Sequence, residues 1–268
     1  MIEKEELLKK MSDFTMEEPL NYLEKGFRIF DFPLIGFCRA NDPIFKEMKK
    51  EHIIGSIFLS PEEWFPGAVT VISYFLPFTA EVRCTNRSGE ITSVEWLHGS
   101  FKGEKFNLKL RRFIIQELEA DGWRALAPAL ESNYLIEHKM FRSNWSERHV
   151  AYAEGLGTFG LNRGLITEKG MSGRFGSIIT DIEYPPTVRK YNGPFEYCLN
   201  NRNGSCGACI ERCPAGAITE AGMEKAICRS YLHVDDCLKE IRQKFGYPYS
   251  ACGKCQTIFP CEEEIPKF

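Results

Sequence analysis

Hydrophobic residues recur along the chain in two spacings, one typical of strands and one typical of helices. The run PGAVTVISYFLPF (66–78) is apolar, β-branched and aromatic, which predicts a strand buried in the centre of a sheet. The shorter run PLIGFCRA (33–40) predicts a second strand. Residues 104–123 carry apolar side chains at helical spacing, and they predict a helix that stops at Asp121-Gly122.

The remaining patterns before residue 185 predict further helices and strands. Further predicted elements are helices over 1–25 and 146–157, a strand over 123–130, and a β-hairpin of 164–167 with 175–184. Helices and strands therefore mix through residues 27–184, which indicates an α/β or α+β domain with a central sheet.

Charge and apolar run length limit the possible partners. The 268 residues carry a net charge of -3, which does not suggest a nucleic-acid binder. No apolar run approaches the roughly 18 residues that a membrane span needs. The start, MIEKEELLKKM, lacks the apolar segment of a signal peptide. We therefore expect a soluble, cytoplasmic protein with no membrane or nucleic-acid partner.

The cysteines are concentrated in the last third of the chain. Nine of the eleven fall between Cys198 and Cys261. Disulfides are disfavoured in a reducing cytosol, so this density favours metal binding or redox chemistry. Pro, Gly and Asn residues precede the cysteine-rich stretch and predict a boundary, giving an α/β domain over 1–185 and a thiol-rich domain over 186–268.

The stretch GSCGACIERCPAGAI (204–218) has the spacing of an iron–sulfur motif. Cys206, Cys209 and Cys213, followed by Pro214, match the last three positions of the ferredoxin run C-x2-C-x2-C-x3-C-P. In two-cluster ferredoxins the cysteine before proline serves the other cluster. The first position of the run falls on Asn203, so the nearest thiol upstream is Cys198.

Two [4Fe–4S] clusters need eight thiolates. Crossed ligation assigns four thiols to the first cluster: Cys198, Cys206, Cys209 and Cys261. The second cluster takes Cys213, Cys252, Cys255 and a fourth thiol from either Cys228 or Cys237. Cys237 lies in a helical pattern, which favours a packed or surface thiol.

Other interpretations of the cysteines remain. C-x2-C pairs also suit structural zinc, although the C-x3-C-P step favours iron–sulfur. Cys38 and Cys84 are isolated and are interpreted as small apolar residues.

The stretch GLGTFG places Gly155, Gly157 and Gly160 in a G-x-G-x-x-G pattern. A dinucleotide site needs a strand before this pattern and a helix after it, whereas here a helix precedes it and a loop and strand follow. Nicotinamide binding is therefore not favoured. The glycines predict either a helix end with a turn, or a close approach of the backbone to a flat cofactor.

The segment ERHVAYAEGLGTFGLNRGLITEKGMSGRFGSIITDIEY and the cysteine region after it resemble epoxyqueuosine reductases and corrinoid reductive dehalogenases. The run 66–78 resembles the N-terminal strand of that superfamily. CRSYL (228–232) resembles the segment that carries a ligand of the second cluster, which favours Cys228 over Cys237. The resemblance spans roughly residues 30–262.

The resemblance implies a nitroreductase-like, cobalamin-binding sheet domain followed by a ferredoxin-like domain with two [4Fe–4S] clusters. Electrons would pass from a ferredoxin- or flavodoxin-type donor through the clusters to cobalt. The corrin would lie against residues 155–160 and 162–177, within reach of Asn162, Arg163 and Arg174. Solvated arginines are the alternative for the last two.

One departure from the family concerns proton donation. Epoxyqueuosine reductases carry an acidic donor a few residues before the Glu-Arg pair, and here the matching position falls near Phe141 in FRSNWSER. This argues against queuosine synthesis. Tyr152, on the helix entering the glycine turn, is a candidate proton donor, with packing as the alternative.

The expected function is therefore an iron–sulfur oxidoreductase acting through a corrinoid on a small substrate or a partner. One alternative is an activator that passes electrons to a corrinoid protein and has no substrate of its own. The other is a flavin-dependent reductase that uses the sheet domain.

Overall fold

A computed structural model describes residues 2–248 and 250–267. The α-helices are α1 (Lys4–Glu17), α2 (Ile44–Glu47), α3 (Pro61–Trp64), α4 (Ala80–Arg87), α5 (Val94–Ala120), α6 (Glu147–Ala153), α7 (Leu199–Asn203), α8 (Ala208–Glu211), α9 (Lys225–Val234) and α10 (Asp236–Lys244). Single 3-10 turns lie at Pro19–Asn21, Pro128–Leu130 and Lys254–Gln256. The strands are β1 (Leu34–Arg39), β2 (Thr70–Pro77), β3 (Ala125–Leu126), β4 (Ile136–Glu137), β5 (Arg142–Ser143), β6 (Gly157–Phe159), β7 (Leu165–Thr167), β8 (Gly173–Thr180), β9 (Ile218–Thr219) and β10 (Gly222–Met223).

The main sheet has four antiparallel strands in the order β1-β2-β8-β3. The two central strands pair over their full length, from Thr70 opposite Thr180 to Pro77 opposite Gly173. The strands predicted over 33–40 and 66–78 are thus confirmed, the second as a central strand. None of the helices in the described ranges is both long and apolar enough to cross a membrane.

Both faces of β2 are buried, which explains its unbroken apolar sequence. Ile72 and Tyr74 pack in the core formed with α1 and α5, whereas Val71 and Phe75 point to the opposite face, beside α6. Side chains alternate along a strand, so a strand covered on both sides has no polar face.

Helix α5 ends where the sequence predicted but begins ten residues earlier. Its N-cap is Ser93, whose Oγ accepts a hydrogen bond from the Trp96 amide at 3.1 Å. The early turns contain Gly103, where an added Cβ would lie 2.7 Å from Phe30 Cζ. Gly103 weakens the helical signal in the sequence because glycine has a low helix propensity. Its missing side chain lets α5 pack closely against the ring of Phe30.

The predicted hairpin of 164–167 with 175–184 is wrong. Strand β7 pairs with β6, and β8 instead pairs with β2 and β3. The predicted strand over 123–130 contains only the two residues of β3. Local pattern identifies a strand but not its partner, and β2 lies far from β8 in the sequence.

A buried ion pair anchors α5 and α6 to the open edge of β8. Because β3 pairs only with the end of β8, the Phe175 carbonyl is bonded by side chains from α5: Asn107 Nδ2 at 3.0 Å and Arg111 Nη2 at 3.3 Å. Arg111 Nη2 also donates to Glu147 Oε1 at 3.0 Å, and Ser177 Oγ donates to Glu147 Oε2 at 2.6 Å. The Arg111 guanidinium thus donates hydrogen bonds both to a carbonyl at the open edge of β8 and to a buried carboxylate.

We expect Glu147→Ala to destabilise the protein by about 3 kcal/mol, because it leaves the buried Arg111 guanidinium with only the longer ion pair to Glu104 at 3.4 Å. The matched control is Asp13→Ala, which breaks the exposed Lys9–Asp13 pair and costs less than about 1 kcal/mol. The urea midpoint of each variant measures the effect. Equal shifts in the two variants would contradict the anchoring role.

Candidate metal centre and adjoining cavities

Four thiols line one cavity beside the β6–β7 hairpin: Cys198, Cys206, Cys209 and Cys261. Helix α7 and the left-handed Gly204 (φ 72°) return the chain so that Cys198 and Cys206 share a wall. Asn200 Nδ2 donates to the Cys206 carbonyl at 2.6 Å and closes this turn. A helical turn thus bypasses Asn203, which has no thiol.

Four other thiols line a second cavity of about 390 Å³, here called the thiol-side cavity: Cys213, Cys228, Cys252 and Cys255. Cys237 is exposed on α10 and lines neither cavity. The structure therefore brings together the same two groups of four thiols that crossed ligation requires. The assignment of each thiol to iron stays a prediction.

The thiols of each group affect one another electrostatically. Burial, and then Cys198, Cys209 and Cys206, raises the pKa of Cys261 to about 12. Burial also raises the pKa of Cys252 to about 11, and Cys228 and Cys213 add to the increase. The raised pKa values favour the neutral thiols of Cys252 and Cys261, and metal binding must displace their protons.

The donor sets are of the type that holds an iron–sulfur cluster. Each cavity is lined by four thiols, and four thiolates are the ligand set of a [4Fe–4S] cluster, whose irons occupy four corners.

Asn162 lies between the two thiol groups and lines both cavities. Its Nδ2 donates to the Cys255 carbonyl, and its Oδ1 accepts from the Gly164 amide at 3.0 Å. Its amide is therefore fixed from both sides. Asn162 and Arg163 lie in the turn between β6 and β7, so this hairpin supplies the wall between the groups.

The C-x2-C loop of the second group docks on the end of α4. Lys254, between the two cysteines, is 1% exposed, and its Nζ donates to the carbonyls of Asn86 at 3.0 Å and Ser88 at 2.8 Å. A cation at the carbonyl end of a helix bonds groups that have no partner within the helix. Beside it, Gly253 (φ 65°) lies against the indole of Trp96.

A second contact fixes the loop after Cys261. Glu262 is 2% exposed and accepts from Arg83 Nε at 3.1 Å and Arg87 Nη2 at 2.9 Å. Both arginines belong to α4. One helix of the sheet region therefore positions thiols of both groups.

The residues predicted to contact a corrin are divided between the two thiol cavities and the backbone around α6. Asn162, Arg163 and Arg174 line the thiol-side cavity, with Arg174 Nη1 paired to Glu104 at 2.9 Å. Gly160 lines the first-group cavity instead.

Gly155 and Gly157 have backbone roles, as in the alternative of a helix end with a turn, and their contact with a cofactor stays a prediction. A Cβ on Gly157 would lie 2.0 Å from the Ile166 carbonyl oxygen, so glycine is needed for the β6–β7 pairing. Gly155 adopts the left-handed conformation (φ 82°) after α6, as a helix end requires.

Tyr152, the candidate proton donor, lies apart from the thiols. Its ring stacks on Tyr191 at a centroid distance of 5.2 Å, and it lines neither thiol cavity. The geometry fits packing, which was the alternative.

A third cavity of about 330 Å³, here called the basic cavity, adjoins the thiol-side cavity. Four residues line both: Phe141, Arg148, Lys225 and Arg229. Sequence patterns do not reveal this wall, because α9 and α6 approach each other only in the folded chain. Phe141, where the family resemblance implied an acid, has φ 53°, and its carbonyl accepts from Lys225 Nζ at 2.9 Å.

We expect Gly253→Ala to lower the iron content by about half, because the new Cβ would lie 1.9 Å from Trp96 Cε2 and displace the C-x2-C loop. The matched control is Gly246→Ala. Gly246 has nearly the same backbone angle (φ 67°) but no atom within 4 Å of an added Cβ. Iron analysis after anaerobic purification separates the two. Equal iron contents would show that the Trp96 contact is not needed.

Comparison with known proteins gives a consistent set of relatives. The epoxyqueuosine reductase of Bacillus cereus is 28% identical over 211 residues, covering 75% of this chain and 50% of that protein. The epoxyqueuosine reductase of Aliivibrio fischeri is 30% identical over 217 residues, covering 76% and 52%. The chain thus spans about half the length of the curated relatives it matches. No family model matches.

Three solved structures share the fold. An epoxyqueuosine reductase with an epoxyqueuosine-modified tRNA stem loop has a TM-score of 0.55 at 20% identity, covering 97% of this chain and 65% of that chain. A catabolic reductive dehalogenase has a TM-score of 0.56 at 14% identity, covering 97% and 36%. A reductive dehalogenase described for B12-dependent dehalogenation has a TM-score of 0.55 at 15% identity, covering 85% and 30%.

These findings confirm the resemblance and the fold class. The chain is similar in sequence to epoxyqueuosine reductases and shares its mixed α/β fold with them and with reductive dehalogenases. The expected cofactors, [4Fe–4S] clusters and cobalamin, are those that these families use. The expectation of no nucleic-acid partner is not supported, because one neighbour is bound to a tRNA stem loop.

Proposed function

We propose that the chain is an iron–sulfur oxidoreductase that passes electrons through two [4Fe–4S] clusters to a corrinoid. The observation that carries this proposal is the pair of four-thiol groups, one of which lines a cavity against the sheet region. We further propose a functional boundary at residues 185/186, which lies between β8 and α7. Thiolate ligands need reducing conditions, so the proposed compartment is the cytoplasm.

Each group would hold one cluster by crossed ligation. Cys209 of the first group is close enough to affect the pKa of Cys255 in the second, and Asn162 lies between them. This adjacency supports an electron relay from one cluster to the next. Burial and hydrogen bonds near the sulfur atoms would tune the potentials.

The part of the thiol-side cavity that Asn162, Arg163 and Arg174 line, beside the part that the second cluster would fill, is the proposed entrance to the corrinoid site. The cavity lining combines aromatic rings, such as Phe78 and Trp96, with the Asn162 amide and the Arg163 guanidinium, which suits a flat macrocycle with amide substituents. When bound, a corrinoid would supply a strongly reducing and nucleophilic cobalt. The protein residues would hold the ring beside the second thiol group and limit access of water.

The substrate and donor are narrower proposals. A ferredoxin- or flavodoxin-type protein would supply the electrons. Phe141 provides no carboxyl group where epoxyqueuosine reductases carry an acid, which argues against the same substrate. The alternative of an activator without a substrate is not favoured, because the relatives are named as reductases and dehalogenases.

We expect about eight irons and eight acid-labile sulfides per chain after anaerobic purification. Cys209→Ala and Cys255→Ala should each lower the iron count to about four, since each removes a ligand of a different cluster. Cys237→Ala is the matched control, because this exposed thiol belongs to neither group, and it should keep about eight.

Cobalt analysis and visible spectra after incubation with cobalamin and gel filtration test the second cofactor. About one cobalt per chain is expected. An iron-free protein, or one whose iron count is unchanged by both ligand variants, would refute the cluster proposal. Bound flavin in place of cobalt would refute the corrinoid part alone.

A further inference from the structure

Three cations meet where the basic cavity joins the thiol-side cavity. Arg148 extends from α6, and Lys225 and Arg229 lie one turn apart on α9; all three line both cavities. Like charges that share a cavity wall repel one another. A group of three cations therefore costs free energy unless an anion lies nearby.

Among the described residues, none of the three has a carboxylate within ion-pair distance. Each donates to a backbone carbonyl: Arg148 to Arg163 at 2.9 Å, Lys225 to Phe141 at 2.9 Å, and Arg229 to His138 at 3.2 Å. Other arginines in the same walls are paired differently. Arg142 bonds Glu137 at 2.6 Å.

The described lining of the basic cavity contains no Asp, Glu or Cys. The described lining of the thiol-side cavity contains no Asp or Glu either. The cations therefore have no carboxylate counter-charge in the described lining of either cavity. Tyr134 also lines the basic cavity and carries a hydroxyl, a donor type that bonds anions, whereas Ser146 Oγ lies 2.8 Å from His149 Nδ1.

Neighbouring groups respond to this positive environment. Burial, and then Arg148, Lys225 and Arg163, lowers the pKa of His149 to about 3, so this imidazole is neutral. Burial, and then Arg163 and Arg148, also lowers the pKa of Lys225. An anion in the cavity would relieve both effects.

We propose that the basic cavity binds a phosphate group, placing the rest of the ligand toward the thiol-side cavity. A phosphomonoester carries nearly two charges and three strong acceptor oxygens, and a phosphodiester carries one charge and two such oxygens. Three cations in one wall can bond either group. The phosphate belongs either to a small substrate or to the corrinoid. Only its position beside the redox centre rests on the proposed function.

The test is calorimetric titration of inorganic phosphate into cluster-loaded, corrinoid-free protein at constant ionic strength. Constant ionic strength is needed because salt screens such contacts. Lys225→Met and Arg229→Met should each weaken binding roughly tenfold, as expected for the loss of one charged hydrogen bond. Lys239→Met, an exposed cation on α10, is the matched control and should bind like the unmodified protein.

Iron counts check that each variant keeps its clusters. If Lys225→Met loses iron, the titration of Arg229→Met is the informative test. No phosphate binding by the unmodified protein, or unchanged binding in the informative variant, overturns the proposal. A tRNA stem loop that binds where inorganic phosphate does not also overturns it. The iron count reports on the cluster proposal and the titration reports on phosphate, so failure of one is distinguished from failure of the other.

Repeating the titration with cobalamin bound identifies the source of the phosphate. Retained phosphate affinity assigns the site to a substrate. Lost affinity assigns it to the phosphodiester of the corrinoid.

Discussion

The thiol-rich region depends on its contact with the carbonyl end of α4. Lys254 donates two hydrogen bonds there, and Arg212 Nη2 bonds the same end through the Asn86 carbonyl at 3.3 Å. Arg83 and Arg87 of α4 meanwhile hold Glu262. Buried cations bonded to helix carbonyls and a buried carboxylate held by two guanidiniums are directional contacts, so they fix position more narrowly than apolar packing does. Loops joined by little regular structure are positioned in this way.

The thiol-rich region also shares its apolar core with the sheet region. Leu161, Ile166 and Met171, from the β6–β7 hairpin and the turn after it, pack with Cys198 and Ile218 of the C-terminal part. The hairpin thus contributes both a core and the Asn162 partition between the thiol groups. Because protein cores are close-packed, this shared core holds the walls of the two thiol cavities at a fixed separation.

The sequence predicted those features that depend only on neighbouring residues. The unbroken apolar run of β2 and the Asp-Gly end of α5 each arise from a few neighbouring residues, and both were found. The start of α5 was missed because Gly103 reads as a break, whereas the ring of Phe30 requires it. The pairing of β8 with β2 and the approach of α9 to α6 depend on tertiary contacts, so spacing could not reveal them. The two thiol groups were an exception, because cluster chemistry restricts the cysteine spacing itself, although the family resemblance was needed to favour Cys228 over Cys237.

Backbone strain and charge coincide in the wall between the cavities. Two non-glycine residues there, Phe141 (φ 53°) and Arg163 (φ 61°), adopt the left-handed conformation, which costs of order 1–3 kcal/mol each. The carbonyl of each accepts a hydrogen bond from a cation of the cavity junction, Lys225 for the first and Arg148 for the second. Such conformations persist only where the surroundings determine them, and here those surroundings are cations. The same side chains therefore set the shape of the wall and its positive charge, so a change in one of these properties changes the other.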